Sequence, residues 1–386
     1  QAGDNEWLQN ILSETKYSTE TDVSLSKRPS RIINKIQITI DKYLSHNSSN
    51  NVYRFGEKES LDKAKVGTKS ANQSKLFLII EQLKKQTGIS NVAVPNGISI
   101  DYTILENLLG SKYTDLYNKL ETIIQSNIDE NEKTDKAQEV LSQIRQLISN
   151  ISDNKIKNYI GNNLEIFNHN PVIVRSSGVD EDGENFSAAG IAESFGNIRY
   201  SDIPKTVKDV LSSFFSPRAF NYMLKSGKAI KPAVLIEDWI DSDKAGIMMS
   251  EDSDGNRLIQ VINGQGEDIV SGRITPYSFV IDINSGEKID GNYTSENTIT
   301  KETLDRLTQI MQWLEGVEGY PVDIEFLIKD NIIYIVQVRP ITTLDTEYED
   351  ETEETGITDT EIIESDGIVS SLFQELFSVE DNGYAK

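Results

Sequence analysis

The chain has 386 residues, 37% of them hydrophobic, which is enough for two or three subdomains with cores of their own. It has no cysteine and two histidines, which excludes disulfides and thiolate metal centres and leaves little for a zinc site. A formal net charge of −24 argues against nucleic-acid binding through a general basic surface, and no apolar run approaches the roughly 18 residues of a membrane span. We therefore expect a cytoplasmic protein with no nucleic-acid or membrane partner, in which any polyanionic ligand is held by local Lys, Arg, backbone amides and Mg²⁺.

The chain starts at Gln1 rather than Met, so processing or excision from a longer protein is expected. Leu8, Ile11 and Leu12, then Ile32, Ile33, Ile36, Ile40, Tyr43 and Leu44, recur at helical spacing, so residues 1–59 read as an added helical layer without chemistry. Gly67-Thr68-Lys69-Ser70-Ala71 precedes an apolar helix carrying Leu76, Ile79, Ile80 and Leu83. A lysine among small residues at a helix start can meet a phosphate, since free amides and the helix dipole favour anions there; the alternative is an exposed loop lysine. The P-loop spacing is absent. Residues 101–165 read as packing helices, best seen in Ala137, Val140, Leu141, Ile144, Leu147, Ile148 and Ile151.

Pro171-Val172-Ile173-Val174-Arg175-Ser176-Ser177 then reads as a buried strand that delivers Arg175 to a serine-rich turn, and Ser187–Gly190 as a loop of small residues suited either to covering phosphates or to a plain surface turn. Further on, Val322–Ile328 and Ile332–Val338 alternate around Lys329-Asp330-Asn331, the mark of a β-hairpin. Pairing Ile328 with Ile332 sets Asp323 opposite Gln337, and gathers Asp323, Glu325, Gln337 and Arg339 on one face. Hard cations take oxygen ligands and guanidinium suits phosphate, so the cluster reads as a metal–nucleotide site; a solvated face with a cross-strand ion pair is the other reading. Arg339 is expected to face the surface and to be lost at little cost in stability. From Asp345 onward fourteen acids face one lysine, so thirteen of the 24 net negative charges sit in a solvated linker or tail. Within it, Ile368, Val369, Leu372, Phe373, Leu376 and Phe377 suit a short docking helix.

Several of these segments together resemble one family. Val174-Arg175-Ser176-Ser177 with Glu181-Asp182 and Gly190 is similar to the "VRSS...ED...FAGQQET" segment of the pyruvate phosphate dikinase and phosphoenolpyruvate synthase family. Gly67–Asn72 resembles its "GGKGANL", and Val94-Pro95-Asn96-Gly97 its "VPPGF". Phe215–Ala219, Ala245–Met248, Val270–Pro276, Asp323-Ile324-Glu325 and Gln337-Val338-Arg339-Pro340 follow in the family's order, so the likeness covers about residues 60 to 344.

The resemblance implies an α+β, ATP-grasp-like nucleotide-binding fold of two lobes with an extra N-terminal helical segment. The expected division is 1–59 helical extension, 60–170 first lobe with a helical insert, 171–344 second lobe with the hairpin, and 345–386 acidic tail. Carried over residue by residue, Lys69 and Arg175 look like ligands of the ATP phosphates, with Gly190 and Ser194 where the phosphate loop meets them and Arg273 at the nucleotide. Glu237 stands where the family contacts the adenine edge. Asp323, Glu325 and Gln337 look like Mg²⁺ and phosphate ligands, and Arg339 like the stabiliser of the transferring phosphoryl group. The departures are Ile191-Ala192 in place of two amides, Thr68 and Ser70 in place of glycines, a shortened glycine stretch at Asn263–Glu267, and Tyr277 in place of an aspartate. His46 and His169 lie in nothing like the family's phosphohistidine motif. The implied activity is that of a kinase of dikinase type, splitting ATP to AMP and phosphate. It is incomplete in this chain and passes phosphate to a swivelling histidine domain in cis or in trans. The alternatives are a catalytically silent ATP-binding module that regulates a partner, and direct ATP-dependent ligation.

Overall fold

The structure, a computed structural model, describes residues 51–179, 192–265, 276–291 and 299–341. The helical stripes expected before residue 51, the acidic run and docking helix after Asp345, His46, Gly190 and Arg273 lie outside the described residues.

In chain order come β1 (Val52–Arg54), α1 (Lys63–Thr87), β2 (Val92–Ala93), β3 (Gly97–Ile100) and four helices, α2 (Ile104–Leu109), α3 (Ser111–Gln125), α4 (Glu130–Ser149) and α5 (Asp153–Ile160). β4 (Val172–Ser176), β5 (Ser194–Ile198), α6 (Ile203–Ser213), α7 (Pro217–Ser226), β6 (Val234–Asp238), β7 (Lys244–Met249), β8 (Arg257–Asn263), β9 (Tyr277–Ile281) and β10 (Lys288–Asp290) follow. α8 (Lys301–Glu318) leads into the hairpin of β11 (Val322–Lys329) and β12 (Ile332–Pro340). The class is α+β, as expected.

Local chemistry explains the helix bounds. The Asp129 carboxylate accepts from the Glu132 amide at 3.0 Å and opens α4, whose Ala137, Val140, Leu141, Ile144 and Ile148 are buried at helical spacing. Thr300 caps α8 in the same way, and Gly319 at φ 81° ends it.

Five strands form one sheet in the order β1-β3-β6-β4-β5, with every pairing antiparallel. Seven form the other in the order β10-β9-β8-β7-β11-β12-β2, antiparallel except where β12 meets β2. Each sheet takes strands from both sides of residue 170. Even-numbered Val172, Val174, Val234 and Ile236 pack on the helical layer with Leu120, Ile144, Val207 and Phe214. Val322, Ile324, Phe326, Ile333 and Ile335 pack with α1 and α8 in a second core, which Leu235 of β6 also joins. At roughly 1.5–3 kcal/mol per fully buried aliphatic or aromatic side chain, this burial fixes which way each strand faces. The odd-numbered face of β6, Leu235 and then Glu237, is therefore turned away from the helical layer toward α1 and the seven-stranded sheet.

Helix α1 carries one break. Gly67 stands at φ 77° and ψ 167°, a conformation reserved for glycine, and a Cβ on it would lie 2.0 Å from the Ser177 carbonyl oxygen. The chain after β4 thus packs directly on the kink. Gly67→Ala is expected to lose about 2–4 kcal/mol, from backbone strain and from the clash together, seen as a lower midpoint in chemical denaturation. A midpoint like that of the unaltered chain would mean the kink is not held against Ser177.

Candidate functional site

Arg175 and Glu237 lie on the face of the five-stranded sheet that is turned away from the helical layer. Arg175 pairs with Leu235 across β4 and β6 and with Ser194 across β4 and β5, so Arg175, Ser194 and Glu237 share one face. Arg175 is 5% exposed and Glu237 3%. Arg175 Nη1 lies 3.7 Å from Glu237 Oε2, an ionic contact beyond hydrogen-bond length. Among the described residues Arg175 Nε and Glu237 Oε1 find no hydrogen-bond partner. Burial pushes the Glu237 carboxyl up to about 7; Arg175 opposes the shift and neighbouring Asp238 adds to it.

The turn of α1 that carries Lys69 is tied to the end of β4 through a serine. Ser177 Oγ donates to the Val66 carbonyl at 2.7 Å and accepts from the Ser70 amide at 2.9 Å, while the Ser177 amide donates to the Ala233 carbonyl at 3.0 Å. These bonds hold the helical turn that begins after Gly67 against the turn that Arg175 enters. Lys69 is half-buried in that turn rather than on an exposed loop.

The hairpin differs from expectation in its register. Its loop has two residues, Asp330 and Asn331, at φ 49° and 63°, so Lys329 faces Ile332 and Ile328 faces Ile333. Positive φ at both central residues is the turn whose twist matches that of the strands, which is why the shorter loop prevails over the three-residue one. An unbroken ladder from that turn would set Glu325 opposite Val336 and turn Gln337 and Arg339 to the core side. A bulge after Glu325 absorbs one residue, and the pairs become Glu325 with Gln337 and Asp323 with Arg339. Asp323 is therefore opposite Arg339, not Gln337.

The four polar groups do converge. Arg339 Nη2 donates to Glu325 Oε1 at 2.6 Å, and Arg339 Nε lies 3.9 Å from Asp323 Oδ2. The Gln337 oxygen, turned toward the guanidinium, accepts from Arg339 Nη2 at 2.8 Å. Glu325 is 2% exposed and Asp323 8%; burial raises the Asp323 carboxyl, with Arg339 pulling it back. Arg339 is thus a half-buried counter-charge rather than a surface-facing residue, which corrects the expectation of a cheap loss. Beside the acids, on the same face, lie the apolar side chains of Ala245, Ile247, Leu327, Tyr334 and Val336 with Ile240 from the β6–β7 connection. The donors here are two carboxylates and an amide, and Asp323 Oδ1 has no partner among the described residues, so the set fits a hard cation such as Mg²⁺. Among the described residues no three His, Asp or Glu gather around a single point.

His169 lies on an exposed turn with its ring 4.3 Å from that of Tyr200. Two contributions escape the sequence reading. Ser177 stands in the Val174–Ser177 motif, but its role as a tie to α1 has no local signal, since the partners of its side chain, Val66 and Ser70, are more than a hundred residues away. Gln73 is buried on α1 and donates to the carbonyl of Val336.

The raised Glu237 carboxyl destabilises the folded chain wherever the side chain must be ionised. Its contribution is intact below the ordinary carboxylate range near 4.5 and is lost as pH rises to about 7, roughly 3 kcal/mol in all. Glu237→Gln should therefore flatten the fall of melting temperature between about pH 5 and pH 7. An unchanged slope in a thermal-melt series would show that Glu237 titrates normally.

Comparison with known proteins identifies the family. The family described as "Pyruvate phosphate dikinase, AMP/ATP-binding domain" matches residues 63–300 and 284–359. The chain is 35% identical over 204 residues to "Uncharacterized phosphotransferase YvkC" of Bacillus subtilis, covering 45% of this chain and 24% of that protein. It is 32% identical over 213 residues to "Probable phosphoenolpyruvate synthase" of Archaeoglobus fulgidus, covering 47% and 28%. To "Rifampicin phosphotransferase" of Bacillus cereus it is 26% identical over 327 residues, covering 76% and 36%. The chain therefore spans about a quarter to a third of the length of these relatives. Matched over well more than half its length, it belongs to the pyruvate phosphate dikinase family through that family's AMP/ATP-binding domain.

Proposed function

We propose that this chain is the nucleotide half of an ATP- and Mg²⁺-dependent phosphotransferase, an ATP-grasp-like pair of lobes that phosphorylates a histidine carried on a separate domain or partner. The lobes are the two sheets with their helices, and ATP lies between them. The observations that carry this are the buried Arg175 beside Glu237 on one sheet, with the turn of Lys69 tied to the end of the same strand through Ser177, and the convergence of Asp323, Glu325, Gln337 and Arg339 on the other. Phosphoryl transfer asks for positioning and charge neutralisation more than for a side-chain nucleophile, and these residue types supply both. Relatives described as phosphoenolpyruvate synthases and phosphotransferases support the same class.

In this reading the adenine rests on the apolar shelf of Ile240, Ala245, Ile247, Tyr334 and Val336, with Glu237 accepting from its edge. Lys69 and Arg175 hold the phosphates, with Ser194 beside them; Gly190 and Arg273, outside the described residues, complete the phosphate side. Asp323, Glu325 and Gln337 would hold Mg²⁺, which would supply positive charge to the phosphate oxygens. Arg339, paired with Glu325, would be the cation for the transferring phosphoryl group. Glu325 would then have a cationic partner both with the ion and, through Arg339, without it.

Arg339→Ala should abolish turnover and lower stability by about 1–3 kcal/mol, because it strips Glu325 of its counter-charge. Added Mg²⁺ should raise the melting temperature of that variant more than that of the unaltered chain. An equal response would put the cation elsewhere. For the reaction itself, labelled ATP and Mg²⁺ are incubated with the chain, with and without a histidine domain from a relative. AMP and phosphate that form only when both are present are the expected result. Tightly bound but intact ATP would favour the silent regulatory module, and ADP with an acyl phosphate would favour ligation.

A further inference from the structure

The bulge that turns Gln337 and Arg339 toward the acids leaves Val336 without a partner in β11. On its other edge β12 meets β2 only at Ile333 and Tyr334, so no described strand covers Val336 from that side either. The carbonyl that the ladder leaves over is taken by Gln73, whose Nε2 donates to it from α1. Gln73 is 5% exposed, and its reach spans 263 residues of sequence. Lys69, Gln73, Leu76 and Ile80 follow one another at helical spacing along α1, and the last two pack with Ile333 and Ile335 of β12. The stripe of α1 that lies on the hairpin thus carries Lys69 at its mouth and Gln73 one turn further in.

We propose that Gln73 is a positioning residue of the nucleotide site: its carboxamide pins the bulged carbonyl of Val336 and so sets Gln337 and Arg339 at a fixed distance from Lys69. The proposal rests on the nucleotide reading above. An apolar residue of equal size at position 73 would fill the same space while leaving a half-buried carbonyl without its donor, and the local ladder would open to find water. Lys75, two residues along the same helix, makes a different tie. Its ammonium lies 2.7 Å from Glu318 and joins α1 to α8, so losing it loosens the helix without touching the bulge.

The test uses the full chain with three substitutions, Gln73→Leu, Gln73→Glu and Lys75→Met, and two readouts. Amide hydrogen exchange at Ile335 to Arg339 should speed up about tenfold in Gln73→Leu and stay unchanged in Lys75→Met, even if both melt earlier. The dissociation constant for Mg-ATP, by calorimetry, should rise about tenfold in Gln73→Leu. Gln73→Glu has a donor only when protonated, so its deficit against the unaltered chain should narrow as pH falls from about 8 to about 5.5, which a mere packing role would not produce. Unchanged exchange in Gln73→Leu overturns the tie, and faster exchange with unchanged affinity overturns the positioning role. If the unaltered chain binds no Mg-ATP, the nucleotide reading falls and takes the positioning role with it, while exchange still reports whether the tie exists.

Discussion

The arrangement depends on one extra residue in β12. Two strands that alternate in register from a two-residue turn commit every side chain to a face at the first pair, and from Lys329 and Ile332 that commitment would send Arg339 into the apolar core. Absorbing Val336 reverses the parity. A guanidinium otherwise aimed at Val322 and Ile324 comes instead to lie against two buried carboxylates, and those carboxylates are tolerable in the interior only because it does. Without the bulge, neither the charge cluster nor the burial of Glu325 is consistent with the rest of the fold.

Seen from the other sheet, the logic is the same with the signs exchanged. Arg175 is a buried cation whose only described ionic neighbour, Glu237, stands too far off for a hydrogen bond and is itself pushed toward neutrality. Each sheet therefore carries buried polar atoms without a hydrogen-bond partner among the described residues. Such groups are costly to keep in a purely structural interior. That cost is the physical argument behind the proposal that these groups meet a charged ligand.

Much of this was legible in the sequence, but unevenly. Alternation around Asp330-Asn331 announces the hairpin, and β-branched residues before Arg175 announce a buried strand, because both signals are local. The register was not legible, since a bulge has no composition of its own and Val336 looks like any strand valine. Gln73 carries no signal in the sequence, because its partner lies 263 residues away. Strand order was hidden for a similar reason: β3 and β6 pair across more than a hundred residues, and each sheet mixes strands from both halves of the chain. For the charged residues, type and spacing pointed to the right face, and only the coordinates gave their pairings.

Helix α1 is fastened at its two ends to different sheets. Just past Gly67 it is stitched through Ser177 to the strands that carry Arg175 and Glu237, and soon after Gly88 the chain enters β2 alongside β12. About twenty residues separate those ends, or some 30 Å of rod at 1.5 Å per residue. Such a rod resists stretching and bending, because either breaks its own backbone bonds. The helix therefore sets the spacing between its two attachments, and its one break, at Gly67, lies two residues before Lys69.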